Sequence, residues 1–192
     1  MTATLAFDRL RIDDDVTSWM VEGRSQPWIG LAHVVTFFGN SLTMTIICTV
    51  VVVWLMIRRH VDEAVLLAVG SLVGAAVMVT FKHVVARTRP PVTDRLLHIE
   101  SYSFPSGHAM MSMVVYCLLA VVAYRLSAWV RGHRWVLLAA PALSFAIGVT
   151  RVYLGVHWTT DVLAGWACGA VWVLLCVWAS TRVTARRNGP IG

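Results

Sequence analysis

Apolar residues run along this chain in long blocks, each closed by arginine, proline or histidine. A bilayer crossing takes a helix of about 18 to 20 mostly apolar residues, and five segments suggest such helices: 31–57, 64–85, 109–124, 135–149 and 162–179. The first is longer than one perpendicular span requires, so it is expected to begin along the membrane surface. The third and fourth are short by hydropathy alone. Residues 1–30 hold no long apolar run and mix Trp19 and Trp28 with charged side chains, as an interfacial segment does. The pattern predicts an all-α integral membrane bundle of five transmembrane helices, or six if the N-terminal residues hold another. Its parts would be an interfacial segment at 1–30, a transmembrane domain at 31–182 and a basic cytoplasmic tail at 183–192.

Composition sharpens this picture. Hydrophobic residues make up 58% of the 192 and charged residues only 14%, at a mean hydropathy of +0.70, whereas a soluble domain carries about 25% charged residues. A water-soluble globule and a large extramembrane domain are both excluded. The net charge of +6 does not point to nucleic acid, because the basic residues are scattered between apolar segments and form no patch interleaved with aromatics. Cys48, Cys117, Cys168 and Cys176 lie inside apolar runs without metal-ligand spacing and read as small core residues. Asp13-Asp14-Asp15 interrupts the N-terminal stretch, which argues against a cleavable signal peptide and leaves targeting to the first spans.

Topology explains the charge. With five spans, one side receives Arg58, Arg59, Arg125, Arg131, Arg134, Arg182, Arg186 and Arg187 against Asp62 and Glu63. The positive-inside rule makes that side cytoplasmic. The other side balances its acids and bases, and three polar clusters at span ends fall on it.

The first cluster is Lys82 and Arg89-Pro90 at the exit of the second span. Both cations would lie on one face if the helix continued that far. The second is Phe104-Pro105-Ser106-Gly107-His108, opening the third span, where a helix start with small residues offers N–H groups to an anion. The third runs from Thr150-Arg151 through His157 to Asp161, the last two spaced i to i+4 so that one helical face would bring them together. Singly, each has an ordinary explanation: snorkelling cations, an interfacial histidine, turn residues, an acid at a helix start. Jointly they converge on one membrane face, where ionisable groups are costly and point to function.

These three clusters, in order and spacing, resemble the three-part signature of the type 2 phosphatidic acid phosphatase family, over residues 82–161. Thr150 stands where that family commonly has serine, and many bacterial members have six spans where five are counted here. The resemblance implies that 31–182 is a transmembrane phosphatase domain of the bacterial inner membrane, multi-pass, with its site facing the exoplasmic side. It also implies the roles. His157 would attack phosphorus as nucleophile, Asp161 would orient it, and His108 would serve as general acid and base. Lys82, Arg89, Ser106, Gly107 and Arg151 would bind the phosphate, supplying the charge that stabilises a transferring phosphoryl group. No metal or other cofactor is implied, since there is no carboxylate cluster of the kind that holds magnesium.

The expected substrate is a lipid phosphate or pyrophosphate held among membrane lipids, foremost a polyprenyl (undecaprenyl or decaprenyl) pyrophosphate. Phosphatidylglycerophosphate or phosphatidate is the alternative within the class. Vanadium-dependent haloperoxidases resemble the family in the same residues but are soluble. A lipid-phosphate transporter would not require His157 and Asp161 to pair, and a phosphotransferase would pass the phosphoryl group to an acceptor other than water. The segment from Asp94 through Ser103 is expected to line the entrance, while Arg87 matches nothing in the signature. The sequence assigns no oligomeric state.

Overall fold

A computed structural model describes residues 10–187; residues 1–9 of the expected interfacial segment and 188–192 of the expected basic tail lie outside these described residues. The described residues form helices and no strand: α1 (Arg11–Glu22), α2 (Gln26–Phe37), α3 (Ser41–Ile57), α4 (Val61–Val85), α5 (Gly107–Leu126), the short α6 (Ala128–Gly132), α7 (Ala139–Tyr153) and α8 (Thr159–Arg187). Four helical spans are long and apolar enough to cross a membrane, and α2 with α3 makes a fifth if the bent pair counts as one. The protein is thus a multi-pass membrane helical bundle.

The long first segment of the sequence is broken. α2 and α3 meet at 41°, because Asn40 accepts a hydrogen bond from the Leu42 N–H and so caps a new helix. Gly39, in the break, lets the chain pass close to α5 and α7. A Cβ there would stand 2.4 Å from Ile147 Cγ2 and 2.9 Å from His108 Cδ2. The helix α2 begins at Gln26 and α8 runs on through Arg187. Trp19 and Trp28 are exposed, but the face of α1 carrying Val16 and Met20 packs on Ala109, Val152 and Val162.

α5 is the central helix, lying against α4, α7 and α8. Lipid tails are as apolar as leucine, so burial of apolar area drives helix association weakly in a membrane; close approach and interhelical hydrogen bonds matter more. Gly165 and Gly169 of α8 lie almost against the α5 backbone at Ser106 and Met110. Ser112 of α5 and Ser144 of α7 share a 2.8 Å hydrogen bond. Outward faces keep large apolar side chains exposed, among them Leu72, Leu174 and Trp178, a surface suited to lipid and unsuited to water.

Arg125, late in α5, reaches Glu63 at the start of α4 and Ser180 late in α8, at 3.4 and 2.9 Å. Those three helix ends therefore share one end of the bundle. The opposite end gathers the end of α4, the start of α5, the end of α7 and the start of α8, together with the long segment 86–106.

Candidate active site

Lys82 sits on the last turn of α4, which stops when Ala86 turns left-handed at φ 49°. Arg89 is therefore in the following segment and not on the helical face expected from the spacing. The two cations meet all the same, because Lys82 Nζ and Arg89 Nη2 both donate to the Tyr102 carbonyl, at 2.6 and 3.1 Å. Arg89 is further held by the Ser101 and Val156 carbonyls. Burial pushes Arg89 down to about 10, with Asp161 opposing the shift, so it remains a cation near neutral pH.

His157 likewise lies outside the helix expected to carry it. It occupies the turn between α7 and α8, which Gly155 opens at φ +70° with its α-carbon beside the Asp94 carbonyl. A side chain there would collide with that backbone, and the left-handed conformation favours glycine. Asp161 instead reaches back from the first turn of α8. Its Oδ2 accepts from the Trp158 N–H at 3.0 Å and lies 3.5 Å from His157 Nδ1. The carboxylate thus caps the helix and faces the ring at once.

On the other side of the ring, Nε2 lies 3.1 Å from Arg89 Nη1. A guanidinium can only donate, so Nε2 is the acceptor and carries no proton. The neutral ring then holds its proton on Nδ1, toward Asp161. Burial, opposed by the hydrogen bond to Asp161, pushes His157 down to about 3, which keeps the ring neutral.

Ser106 caps α5, its hydroxyl accepting from the Ala109 N–H at 3.5 Å, and its own N–H donates to the Asp161 carbonyl at 3.0 Å. Gly107 and His108 follow in the first turn. His108 is within electrostatic reach of Arg151, His157, Arg89 and Lys82. Arg151, on the last turn of α7 and 2% exposed, donates to Thr36 of α2 at 2.8 Å, while its Nε has no hydrogen-bond partner among the described residues. The structure therefore gathers Lys82, Arg89, Ser106, Gly107, His108, Arg151, His157 and Asp161 at one end of the bundle.

Three further residues join them: Ser103, at the end of the segment expected to line the entrance, and Arg87 and Asp13, which match nothing in the signature. Ser103, fully buried, donates to Asp161 Oδ2 at 2.5 Å and lies 3.4 Å from His157 Nδ1. Arg87 donates to Asp161 Oδ1 at 2.6 Å and to Asp13 of α1 at 2.6 Å. A signal for Asp13 was present: it shares a helical face with Val16, Thr17 and Met20, an acid on an otherwise inward-facing stripe. Arg87 is thus balanced by two carboxylates, whereas Lys82, Arg89 and Arg151 hydrogen-bond to neutral acceptors. That arrangement leaves positive charge for an anion beside an unprotonated imidazole nitrogen. It suits phosphoryl transfer, in which equatorial oxygens need fixed cations and phosphorus needs a nucleophile in line.

Comparison with known proteins shows what the chain is similar to. The model of the PAP2 superfamily matches residues 63–185. Phosphatidylglycerophosphatase B of Bacillus subtilis (strain 168) is 29% identical over 146 residues, 75% of this chain and 71% of that protein. An undecaprenyl-diphosphatase of Sulfolobus acidocaldarius is 26% identical over 124 residues, 62% of this chain and 55% of that one. Among solved structures, a transmembrane PAP2-type phosphatidylglycerolphosphate phosphatase from Bacillus subtilis superposes with a TM-score of 0.84 at 24% identity, covering 89% of this chain and 85% of that one. The Aquifex aeolicus LpxE structure gives a TM-score of 0.72 at 16% identity, covering 90% and 99%.

Proposed function

Because the chain belongs to the PAP2 superfamily and is a membrane lipid phosphatase, we propose that it cleaves a polyprenyl pyrophosphate at the exoplasmic face of the bacterial inner membrane, through a phosphohistidine on His157. The observation that carries the reading is the imidazole of His157, with Nε2 facing the Arg89 guanidinium and Nδ1 facing Asp161. Nε2 attacks the terminal phosphorus while the bond to the bridging oxygen breaks. His108 gives a proton to that leaving oxygen, and Lys82, Arg89 and Arg151 hold the equatorial oxygens with the N–H of Gly107 and the hydroxyl of Ser106. Asp161 stabilises the ring as it gains positive charge. In the second half, His108 takes a proton from water, which attacks phosphorus; the P–N bond breaks and inorganic phosphate leaves.

Three cations without carboxylate partners suit a pyrophosphate better than a monoester of lower charge. The tail has a ready path: an apolar groove of about 300 Å³ between α3 and α4 is lined by Met44, Cys48, Ala75, Met78 and Met111, and Met78 also sits against Gly107. The arginine-rich opposite end supports placing that end in the cytoplasm and the site outside. A second substrate, phosphatidylglycerophosphate, is favoured by the name of the Bacillus relative that matches 71% of its own length.

The test is phosphate release in detergent, with chelator present, from undecaprenyl pyrophosphate, phosphatidylglycerophosphate and phosphatidate, comparing the native chain with His157→Ala. Release from one lipid that vanishes in the variant, with acid-labile phosphate trapped on the native chain, supports the reading and names the lipid. Equal release from both proteins overturns the nucleophile, and loss of the lipid's terminal phosphate that needs an added alcohol and appears as the phosphorylated alcohol makes the enzyme a phosphotransferase.

A further inference from the structure

Asp13 lies on α1, far in sequence from the clusters around His157, yet it is fully buried. Its Oδ2 accepts from Arg87 Nη2 at 2.6 Å, and Arg87 Nη1 donates to Asp161 Oδ1 at 2.6 Å. Its Oδ1 accepts from both the N–H and the hydroxyl of Thr160, the residue before Asp161, at 2.9 and 2.8 Å. Asp13 is therefore tied to Asp161 twice, once through a shared arginine and once through the backbone next to it. We propose that Asp13 is a positioning residue of the phosphatase reaction, acting through Arg87 and Thr160 on Asp161. The inference rests on the reading of His157 as nucleophile and Asp161 as its partner.

The physical reason is division of one charge between two acids. Arg87 is 5% exposed, both of its terminal nitrogens are engaged, and it is not available to a phosphate. Paired with Asp161 alone, the guanidinium would turn wholly to that carboxylate and weaken its pull on the imidazole. Shared with Asp13, it leaves Asp161 Oδ2 to face His157 Nδ1 and to accept from Ser103 and Trp158. A buried acid–arginine–acid triad is a poor device for stability alone, since apolar residues of similar volume commonly serve at least as well. What it adds is a defined position for Asp161. The apolar side of α1 keys the helix in place, with Val16 and Met20 against α5, α7 and α8. The N-terminal helix is on this account part of the catalytic machinery's frame, whether or not it also touches the membrane surface.

A double-mutant cycle tests this on the purified full chain in detergent, measuring phosphate release from undecaprenyl pyrophosphate and from phosphatidylglycerophosphate. Asp13→Asn keeps the size of the side chain and an acceptor for Thr160 but removes the charge opposite Arg87. It is expected to lower kcat about tenfold, a typical coupling for neighbouring polar groups, with KM changed less than about twofold, because Asp13 and Arg87 do not touch substrate. In an Asp161→Asn background the same substitution should change kcat no further, and Asp13→Glu should restore part of the loss. If Asp13→Asn does not yield folded protein, Asp13→Glu alone carries the cycle, with a smaller fall in kcat that also disappears beside Asp161→Asn. A loss of equal size in both backgrounds, a loss confined to KM, or no loss while Asp161→Asn is impaired overturns the positioning role and leaves the reading of His157 standing. Full activity of Asp161→Asn would overturn both.

Discussion

Arg89 Nη1 stands 3.1 Å from Nε2 of His157 and also donates to the Val156 carbonyl, one residue before that histidine. A single guanidinium therefore holds the backbone that carries the ring and faces the ring nitrogen proposed to attack. When a phosphate enters, the same group can turn its N–H toward an equatorial oxygen and release Nε2. Arg89→Lys keeps the charge but loses the planar fork that spans these acceptors. It is expected to lower kcat/KM by about 10²-fold or more, the size of a lost oxyanion contact, as read from steady-state phosphate release.

The acid limb of activity should betray the burial of His157. An imidazole in water takes a proton near 6.5, whereas burial pushes this one down to about 3, against the opposing pull of Asp161. The reactive form is the neutral one, so activity is retained through mildly acidic pH and lost only as pH falls toward the lowered value. Asp161, Arg89 and Arg151 all face the ring electrostatically, with His108 and Lys82 beyond. In Asp161→Asn the opposing carboxylate is gone, so the limb moves to still lower pH while kcat falls by up to about 10⁴-fold. Ionisation of the substrate phosphate is common to both proteins and does not move. A profile of kcat/KM against pH for the two proteins checks this, and a limb that moves upward in the variant would contradict it.

Ser103 offers a milder probe of the same pair. Its hydroxyl donates to Asp161 Oδ2 and can accept the His157 Nδ1 proton at 3.4 Å. Ser103→Ala leaves Asp161 with Arg87 and the Trp158 N–H, so the carboxylate is not orphaned. The expected cost is that of one hydrogen bond to a charged group, about 1.5 to 3 kcal/mol. Part of it should appear in kcat, as roughly a tenfold fall, and part as a lowered melting temperature in detergent.

The helices that hold these residues were legible because apolar runs of membrane length leave few alternatives; α4 and α5 follow the runs at 64–85 and 109–124 within three residues, and α8 contains the run at 162–179 and extends past it to Arg187. The clusters were legible because cations and histidines at lipid-facing span ends need a reason. What the spacing could not show was where helices stop. Lys82 and Arg89 would have shared a helical face had the helix continued, and His157 and Asp161 were expected to share one; each pair meets across a helix end, where Ala86 and Gly155 take left-handed conformations. The break at Gly39 and Asn40 was hidden within one unbroken apolar run. The pairing of Arg87 with Asp13 was hidden for a different reason: periodicity puts Asp13 on an inward face of its helix, but nothing in the sequence shows which distant residue it meets there. Asp13-Asp14-Asp15 reads as a polar stretch until the fold shows that its first member is buried.

Gly155 provides a test of the turn itself. Gly155→Ala would place a methyl group 2.1 Å from the Asp94 carbonyl oxygen, at a φ of +70°. The left-handed conformation alone costs an ordinary residue about 1 to 2 kcal/mol, and the backbone contact adds to it. Loss of His157 placement should accompany the loss of stability. The expected outcome is a lowered melting temperature in detergent together with a fall in kcat that persists at temperatures where the variant is folded.

The break between α2 and α3 makes the last prediction, because it separates two glycines of one region by their surroundings. At Gly39 a Cβ meets Ile147 Cγ2 at 2.4 Å and His108 Cδ2 at 2.9 Å. The second of these belongs to the proposed general acid, so Gly39→Ala must either displace His108 or push α2 away from α7, where Thr36 receives Arg151. Both routes damage phosphate handling. At Gly30, within α2, a Cβ meets nothing within 4 Å. Gly30→Ala should therefore leave activity intact and strengthen the helix by about 0.5 to 1 kcal/mol. Measured side by side, phosphate release should collapse for Gly39→Ala and hold for Gly30→Ala. Intact activity of Gly39→Ala would mean that neither the place of His108 nor that of α2 against α7 matters to turnover, and the reading of His108 as general acid would fall.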